Sequence, residues 1–343
     1  MDAVGALQHW GGAVHHPSNW AVLSDDQPEP AGPLVPDFII GGAPKCGTTS
    51  LHQVLHQHPK LWVAENEVYF FDADDPIAHG DFLKVEDGAL HWRNPAAPEA
   101  RAWYADRLSG APDGALIGED TTTYLISEVA PHRIREIARQ AKVIFMLRDP
   151  VKRAYSQYWH LLRSGRTTLS FEDAMSAERS IILGSTYAPA LRRYYEALGP
   201  DRVHVLLFEE FKADLMASVR AVTDFLGVPP LPGPPAQTWH NKTKYPKRLD
   251  SLRRANWVGG PLVRYRYARH FGGAAPRQAR LAHWAYRKWY AYVANHILTE
   301  DRPPDAMSQR TQDYLCQHLS ARNAGLSDLL GKDLARLWPG FTQ

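Results

Sequence analysis

The stretch Phe38-Ile-Ile-Gly-Gly-Ala-Pro-Lys-Cys-Gly-Thr-Thr-Ser50 decides the fold of this 343-residue chain. Its first five residues form a short apolar run that ends in two glycines, which is typical of a buried β-strand. The three hydroxyl residues at its end are typical of the start of a helix. Because a helix start carries unpaired backbone N–H groups and the positive end of the helix dipole, it attracts an anion. The stretch therefore predicts a phosphate-binding turn.

The position of the lysine distinguishes this turn from that of nucleotide triphosphatases. Gly42 and Gly47 fall in register with the pattern GxxxxGK[ST], but Thr48 stands at the lysine position. The lysine of this stretch, Lys45, lies inside the turn and cannot reach forward along a triphosphate. We expect it instead beside the bond between a 5′-phosphate and the group that leaves it.

Strands and helices alternate along the first two-thirds of the chain. Apolar runs predict strands at 37–42, 61–63, 115–118, 142–147 and 203–207. Helices are predicted at 48–58, 128–140, 187–198 and 215–226, with a further helix that begins near Pro150. This alternation predicts an α/β fold, because parallel strands need helical crossovers. We expect a P-loop-type central parallel sheet flanked by helices, with a helical, basic C-terminal part.

A second phosphate site is predicted where the strand 142–147 ends. Arg148 follows this strand directly, at the carboxyl end where open α/β sheets bind ligands. Ser156 lies two turns into the next helix, so that both side chains can meet one phosphate. An arginine fork and a serine hydroxyl are a suitable pair for a terminal phosphomonoester.

The two stretches IIGGAPKCGTTSL (39–51) and VIFMLRDPVKRAYSQYWH (143–160) resemble the nucleotide-binding segments of sulfotransferases that use 3′-phosphoadenosine 5′-phosphosulfate, PAPS. The chain is most similar to the carbohydrate branch, which includes heparan sulfate sulfotransferases. Segments 66–72, 118–124 and 184–187 agree with this branch in order. The resemblance covers residues 36–250 and the C-terminal tail.

The resemblance implies which residues bind the donor. Those assigned to the 5′-phosphosulfate are Lys45, Cys46, Gly47, Thr48, Thr49 and Ser50. Arg148 and Ser156 are assigned to the 3′-phosphate. A basic loop that closes over the nucleotide is implied at Lys244, Tyr245, Lys247 and Arg248. The chain departs from the family at Asn66, which replaces a lysine, and at Asp120, where many members carry a basic or neutral residue.

The resemblance also implies in-line sulfuryl transfer to an acceptor hydroxyl or, as the less favoured nucleophile, an amine. A sulfuryl group carries less negative charge than a phosphoryl dianion, so a lysine can replace the metal ion of kinases. We expect Lys45 to stabilise the leaving oxygen and Glu67 to act as general base, with His160 and His240 as rival bases. No metal site is expected, since His52 and His56 lack an evident third ligand.

The formal net charge of +2 conceals two opposed regions. Between Asn241 and Thr299 lie 13 lysines and arginines and one acid, whereas the remaining residues hold 26 basic and 36 acidic side chains. Such a basic block meets an anionic partner or the acidic part of its own chain. Its interleaved aromatic residues suit stacking on bases, and they suit equally the buried side of a solvated helix.

Domain boundaries follow from these patterns. Residues 1–36, with five prolines and no usable period, are predicted to form an irregular N-terminal arm. The domain itself is expected over 37–343. Its expected parts are a nucleotide-binding core (37–227), a basic, aromatic, helical acceptor-side region (240–300) and C-terminal helices (308–338).

Several alternatives remain open at this point. The acceptor is expected to be a glycan, a glycolipid or a small secondary metabolite. The alternative functions are an atypical P-loop kinase and a protein that binds nucleic acid or an anionic membrane through residues 241–299. Of these partners, nucleic acid is the less favoured, and the oligomeric state is left open.

The cellular location is predicted from what the sequence lacks. Two cysteines, the absence of a secretory signal and the absence of a run of about 18–20 apolar residues predict a cytoplasmic protein. Peripheral association with a membrane is the second option. The ratio of 28 Arg to 11 Lys is typical of a GC-rich bacterial genome.

Overall fold

A computed structural model describes residues 34–79, 84–86, 88–92, 94–235, 245–257, 284, 288, 292–293, 297–300 and 305–342. Nearly all of the predicted N-terminal arm lies outside these residues. The same holds for most of the basic region, including His240 and Lys244, so these predictions are not addressed by the structure.

Five parallel strands form the central sheet, in the order β2-β5-β1-β6-β7. These strands are β1 (Phe38–Gly42), β2 (Leu61–Val63), β5 (Leu116–Asp120), β6 (Lys142–Leu147) and β7 (Val203–Leu207). Two antiparallel pairs lie outside this sheet, β3 (Lys84–Glu86) with β4 (Ala89–His91) and β8 (Tyr245–Pro246) with β9 (Thr299–Glu300). Every residue of β1 is buried, since this strand pairs on both edges, with β5 and with β6. The predicted parallel α/β sheet is therefore confirmed.

Helices connect and cover these strands. In the first half they are α1 (Thr48–Leu55), α2 (Pro76–His79), α3 (Pro98–Leu108), α4 (Ala130–Ile137) and α5 (Pro150–Arg163). The middle of the chain forms α6 (Phe171–Ala177), α7 (Arg179–Leu183), α8 (Tyr187–Leu198), α9 (Phe208–Ala213) and α10 (Leu215–Leu226). The C-terminal helices are α11 (Gln309–Arg322), α12 (Leu326–Leu330) and α13 (Leu334–Leu337).

The strand order brings the two predicted phosphate motifs together. The chain runs from β1 through a short loop into α1, and from β6 directly into α5. Because β1 and β6 are parallel neighbours, their carboxyl ends lie side by side at one edge of the sheet. Both motifs therefore open onto the same edge.

Some predicted boundaries are wrong by a few residues. The helix predicted over 48–58 ends at Leu55, where a turn begins in which His58 Nδ1 accepts the Lys60 N–H at 3.0 Å. The helix predicted from residue 128 begins at Ala130 instead, because Pro131 is suited to its first turn. The strand predicted over 115–118 runs two residues further, to Asp120.

Helix lengths bear on any relation to a membrane. Both α5 and α11 contain 14 residues, whereas a bilayer span needs about 20. Across the described ranges, no helix is both long and apolar enough to cross a bilayer.

A buried asparagine attaches the C-terminal helices to the core. Asn323, which is 1% exposed, follows α11 and accepts the backbone N–H groups of Tyr187 and Ala188 on Oδ1, at 2.6 and 3.1 Å. Its Nδ2 donates to the Ser185 carbonyl at 2.8 Å. The N-cap residue of α8 itself, Thr186, makes no capping hydrogen bond with its side chain. Asn323 therefore caps α8 from a distance, and the predicted C-terminal helices are confirmed as part of the packed fold.

Replacing Asn323 by alanine should lower the free energy of unfolding by about 2–4 kcal/mol, because two buried N–H groups lose their acceptor. Denaturant titration followed by circular dichroism measures this change. The control is Gln317→Ala, which removes an exposed amide on the same helix and should change stability by less than about 0.5 kcal/mol. Equal effects of the two substitutions would contradict the capping role.

Candidate active site

The loop between β1 and α1 has the backbone geometry of an anion site. Lys45 and Gly47 both adopt left-handed φ values, 71° and 96°. A Cβ at residue 47 would lie 2.7 Å from the Phe208 ring, so that only glycine fits there. No side chain caps the N-terminus of α1. The N–H groups of Ser50 and Leu51 donate to the Gly47 carbonyl, which leaves those of Thr48 and Thr49 as the open donors of the first turn. This turn therefore combines open backbone donors with a lysine, as the sequence predicts.

Arg148 lies beside this loop at the end of β6. Its guanidinium carbon is 5.0 Å from the centre of the Phe208 ring, and Nη1 is 3.5 Å from the Lys45 carbonyl. The neighbouring Asp149 does not neutralise it, because Asp149 caps α5 through the N–H of Val151 and pairs with Lys152 at 3.2 Å. Arg148 is thus positioned to meet an anion.

The other residues assigned to the donor are distributed over three environments. Cys46 and Ser50 are buried, so that their side chains belong to the core, and burial raises the pKa of the Cys46 thiol to about 11. Thr48 and Thr49 line a cavity at the sheet edge. Ser156 lies half-buried on α5.

The described part of the predicted basic loop contacts α5. Tyr245 packs edge-to-face on Trp159, with ring centres 5.4 Å apart. Lys247 and Arg248 are exposed. Farther along the basic stretch, Arg253 donates to the Leu169 carbonyl at 3.2 Å, which is a structural use of one of its charges.

A cavity of about 480 Å³ opens at the carboxyl edge of the sheet. Lys45 and Glu67 both line it, together with the rival base His160. The sequence-predicted lysine and carboxylate therefore share one cavity. The cavity is also lined by Asp120, which the sequence marks as a departure from the family. Gln157, Arg163 and Arg166, to which the sequence motifs assign no role, line it as well.

Lys45 lies within a cluster of positive charges. Its pKa is lowered to about 8, first by burial and then by the charges of Arg163, Arg153 and Arg148. The negative charge of Glu67 opposes this shift. Since like charges this close raise the energy of the empty site, the cluster is prepared for an anionic ligand.

Hydrogen bonds fix the orientation of Glu67. Its Oε1 accepts the backbone N–H and the hydroxyl of Thr122, at 3.1 and 2.6 Å, and Oε2 accepts the Tyr69 hydroxyl. Thr122 lies two residues after the end of β5, so the sheet positions the Glu67 carboxylate through it. Glu67 is half-buried and still reaches the cavity.

His160 is a weaker candidate for the base. Burial and the positive charges of Lys45 and Arg163 hold the pKa of His160 well below its usual value. The imidazolium that would form on proton transfer is therefore unfavourable here.

His52, which could in principle ligate a metal ion, faces a carboxylate instead. Its Nδ1 lies 3.3 Å from Oδ2 of Asp120, and both side chains are 10% exposed. Within the described ranges, no group of three or more His, Cys, Asp and Glu side chains could hold a metal ion.

A polar pattern on α5 is a further sequence signal for part of the cavity. Arg153, Gln157 and His160 recur at i, i+4 and i+7 on α5, which places them on one helical face. Gln157 and His160 line the cavity, and Arg153 donates to the Pro44 carbonyl of the phosphate loop at 2.9 Å. A polar stripe on the helix after the second phosphate motif thus marks the site.

Comparison with known proteins identifies the family of this chain. Residues 36–232, more than half of the chain, match the family model described as "Sulfotransferase family". Among curated relatives, mouse heparan sulfate glucosamine 3-O-sulfotransferase 3A1 is 29% identical over 225 residues, 63% of this chain and 51% of the relative. Mouse heparan sulfate glucosamine 3-O-sulfotransferase 3B1 is 30% identical over 203 residues, which cover 57% of this chain and 46% of the relative. The chain thus spans about half the length of these relatives.

A solved structure supports the fold. The crystal structure of a sulfotransferase from Alicyclobacillus acidocaldarius superimposes with a TM-score of 0.56 at 23% identity, covering 88% of this chain and 98% of the other. This likeness concerns the backbone arrangement, whereas the family model matches the sequence that carries both phosphate motifs. On that match, the chain belongs to the sulfotransferase family.

Proposed function

We propose that the protein transfers the sulfuryl group of PAPS to a hydroxyl group of a carbohydrate acceptor by in-line displacement. The observation that carries this proposal is that Lys45 and Glu67 line one cavity at the carboxyl edge of the sheet. Family membership supports sulfuryl transfer, and the names of the heparan sulfate relatives support a carbohydrate. Glycolipids, secondary metabolites and amine nucleophiles are the less favoured acceptors. Two observations disfavour the kinase alternative: the family match, and the presence of Thr48 at the lysine position of the pattern GxxxxGK[ST].

The residues at the sheet edge fit a phosphate-bearing nucleotide. The N-terminus of α1, which no side chain caps, suits the 5′-phosphosulfate, with Lys45 beside it. Gly47 shapes the loop by letting the Phe208 ring pack closely against it. Arg148 and Ser156 would hold the 3′-phosphate. When bound, PAPS supplies the activated sulfuryl group. Holding it there places two anionic groups against the positive cluster around Lys45 and relieves the repulsion within that cluster.

Lys45 and Glu67 divide the chemistry between them. Glu67 takes the proton that the acceptor hydroxyl loses as its oxygen bonds to sulfur. Lys45 stabilises the negative charge left on the 5′-phosphate oxygen as the sulfur–oxygen bond breaks. Thr122 holds the carboxylate in place throughout, so little reorganisation is needed during transfer.

The basic region 240–300 is proposed to form the acceptor side and to close over the nucleotide. The contact of Tyr245 with Trp159 supports this, because it brings the start of the region to the helix that carries Ser156. Lys244, Lys247 and Arg248 would then neutralise donor phosphates. Binding of this region to an anionic membrane surface is the alternative use.

Radiolabelled PAPS tests the proposed reaction. The protein is incubated with it and with tetrasaccharides of unsulfated heparosan and of heparan sulfate, and products are resolved by mass. Labelled ATP serves as the competing donor. Sulfuryl transfer to a saccharide supports the proposal, whereas phosphoryl transfer from ATP without sulfuryl transfer would contradict it.

Glu67→Gln should lower the rate of transfer by at least about 100-fold, because the amide cannot accept the proton. Affinity for the desulfated nucleotide PAP, measured by calorimetry, should change by less than about three-fold. Glu65→Gln is the matched control, since Glu65 is an exposed carboxylate that lines the same cavity. A transfer rate of Glu67→Gln close to that of the control would exclude Glu67 as the base.

The affinity for PAP should depend on pH through Lys45. Its pKa of about 8 in the free protein must rise when phosphates bind, so affinity is full below pH 8 and falls as the pH rises above it. The fall should approach ten-fold per pH unit until the pKa of the complex is reached. Calorimetry in buffers of different ionisation enthalpy should show proton uptake near pH 8. In Lys45→Met both effects should be absent, and their persistence would assign them to another group.

A further inference from the structure

The carboxylate of Asp120, a residue that lines the cavity, has one buried oxygen without a hydrogen-bond partner among the described residues. Asp120 ends β5, is 7% exposed and lines the cavity with Glu67. Its Oδ2 has the long contact to His52 Nδ1, but its buried Oδ1 has no hydrogen-bond partner among the described residues. A buried carboxylate oxygen without a donor is unfavourable, so it calls for a ligand or another explanation.

The preceding residue shows what a structural carboxylate looks like at the same strand. Glu119 is fully buried and accepts three hydroxyl groups, from Tyr104 at 2.8 Å, Thr121 at 3.2 Å and Tyr124 at 3.3 Å. Successive residues of a strand point to opposite faces. Glu119 therefore lies in a fully bonded network on one side of β5, and Asp120 meets the cavity on the other.

Two further polar atoms around the cavity also lack partners in the part of the chain that the structure describes. They are Oε1 of Gln157 and Nδ1 of His160. Gln157 is 5% exposed. Both residues line the cavity with Asp120. Three residues that line one cavity thus each carry a buried polar atom without a partner. A ligand with several polar groups, such as a saccharide, suits these residues better than a flat apolar acceptor.

We propose that Asp120 and Gln157 form an acceptor subsite that binds an uncharged or cationic hydrogen-bond donor and rejects an anionic substituent beside the attacking hydroxyl. The inference rests on the proposed carbohydrate sulfotransferase function and adds the acceptor's charge. Hydroxyl, amide N–H and ammonium groups all satisfy Asp120 Oδ1. A sulfate or carboxylate on the acceptor would instead be repelled by the negative charges of Asp120 and Glu67, and little solvent is present there to screen this repulsion.

The electrostatics of the cavity agree with this subsite. Burial raises the pKa of Asp120, and the charge of Glu67 raises it further, so the two carboxylates are close enough to interact. The hydrogen bond from His52 opposes the shift. The cations of the cavity, among them Lys45 and Arg163, are proposed to serve the anionic donor. The preferred acceptor is therefore unsulfated near the reacting hydroxyl.

A melting experiment without ligand separates a binding role from a structural one. Asp120→Asn removes a buried charge and keeps the shape, so the melting temperature should rise by about 2–4 °C. The matched substitution Glu119→Gln should lower it, because that carboxylate is fully bonded. A fall for Asp120→Asn as large as that for Glu119→Gln would make Asp120 structural and overturn the proposal.

Acceptor selectivity supplies the second test. Two tetrasaccharides that differ only in N-acetyl or N-sulfo groups are compared as acceptors of labelled PAPS. The wild-type protein should prefer the N-acetyl form at least about ten-fold in kcat/KM, and Asp120→Lys should reverse the order. Glu65→Lys makes the same change of charge at the exposed rim and should leave the ratio within about three-fold.

The outcomes separate this inference from the proposed function. An unchanged ratio in Asp120→Lys, or a wild-type preference for the N-sulfo form, would overturn the subsite while leaving sulfuryl transfer to carbohydrates intact. If neither tetrasaccharide is sulfated although PAP binds, the proposed acceptor class fails instead. Calorimetric titration of the PAP-loaded protein with both tetrasaccharides then decides the subsite: tighter binding of the N-acetyl form supports it, and equal binding or none overturns it.

Discussion

A buried arginine holds the phosphate loop in place, and the rest of the site depends on it. Arg153 is fully buried, and its Nε donates to the Pro44 carbonyl at 2.9 Å. Its Nη1 donates to the carbonyls of Ser180 and Ile181 at 2.6 and 3.1 Å. Gly184 leaves room for the guanidinium, since a Cβ there would lie 2.3 Å from Nη2. One side chain thus fixes the loop to the end of α7.

The partners of Arg153 matter because they are carbonyl oxygens. Among the described residues, Arg153 bonds to carbonyl oxygens and to no carboxylate, and its Nη2 has no hydrogen-bond partner, so its charge is not cancelled. Burial lowers its pKa, and its field in turn contributes to the lowered pKa of Lys45. Burying an uncancelled charge is unfavourable for folding. The proposed anionic donor would offset part of that cost on binding, which is a form of electrostatic preorganisation.

The sequence could predict the elements and motifs that depend on local pattern. The apolar run at 38–42, the position of Lys45 and the strand end at Arg148 all follow from residues near one another in the chain. Their meeting at one sheet edge follows from the rule that parallel strands share a direction, once β1 and β6 are assigned as strands. Local information plus one topological rule was therefore enough to place the two predicted phosphate motifs at one edge of the sheet.

The contacts around the proposed acceptor side could not be predicted in the same way. The pair His52–Asp120 joins residues 68 positions apart, and Arg153 bonds carbonyls on both sides of it along the chain. Such contacts depend on tertiary packing, and carbonyl partners leave no trace in the residue types.

The end of β5 shows how one strand gives three carboxylates three roles. Its alternation sends Glu119 to hydroxyl donors in the core and Asp120 to the cavity, and Thr122 just beyond it holds Glu67. The chemical difference lies in how completely each carboxylate is bonded. Three hydroxyl donors hold Glu119 in the core. Burial raises the pKa of Glu119 to about 8, so the three hydroxyl groups do not have to stabilise a full negative charge. Glu67 is oriented by hydrogen bonds and still lines the cavity, and Asp120 has one oxygen without a hydrogen-bond partner among the described residues. The number of hydrogen-bond donors to each carboxylate therefore distinguishes the structural Glu119 from the proposed base Glu67 and the proposed recognition residue Asp120.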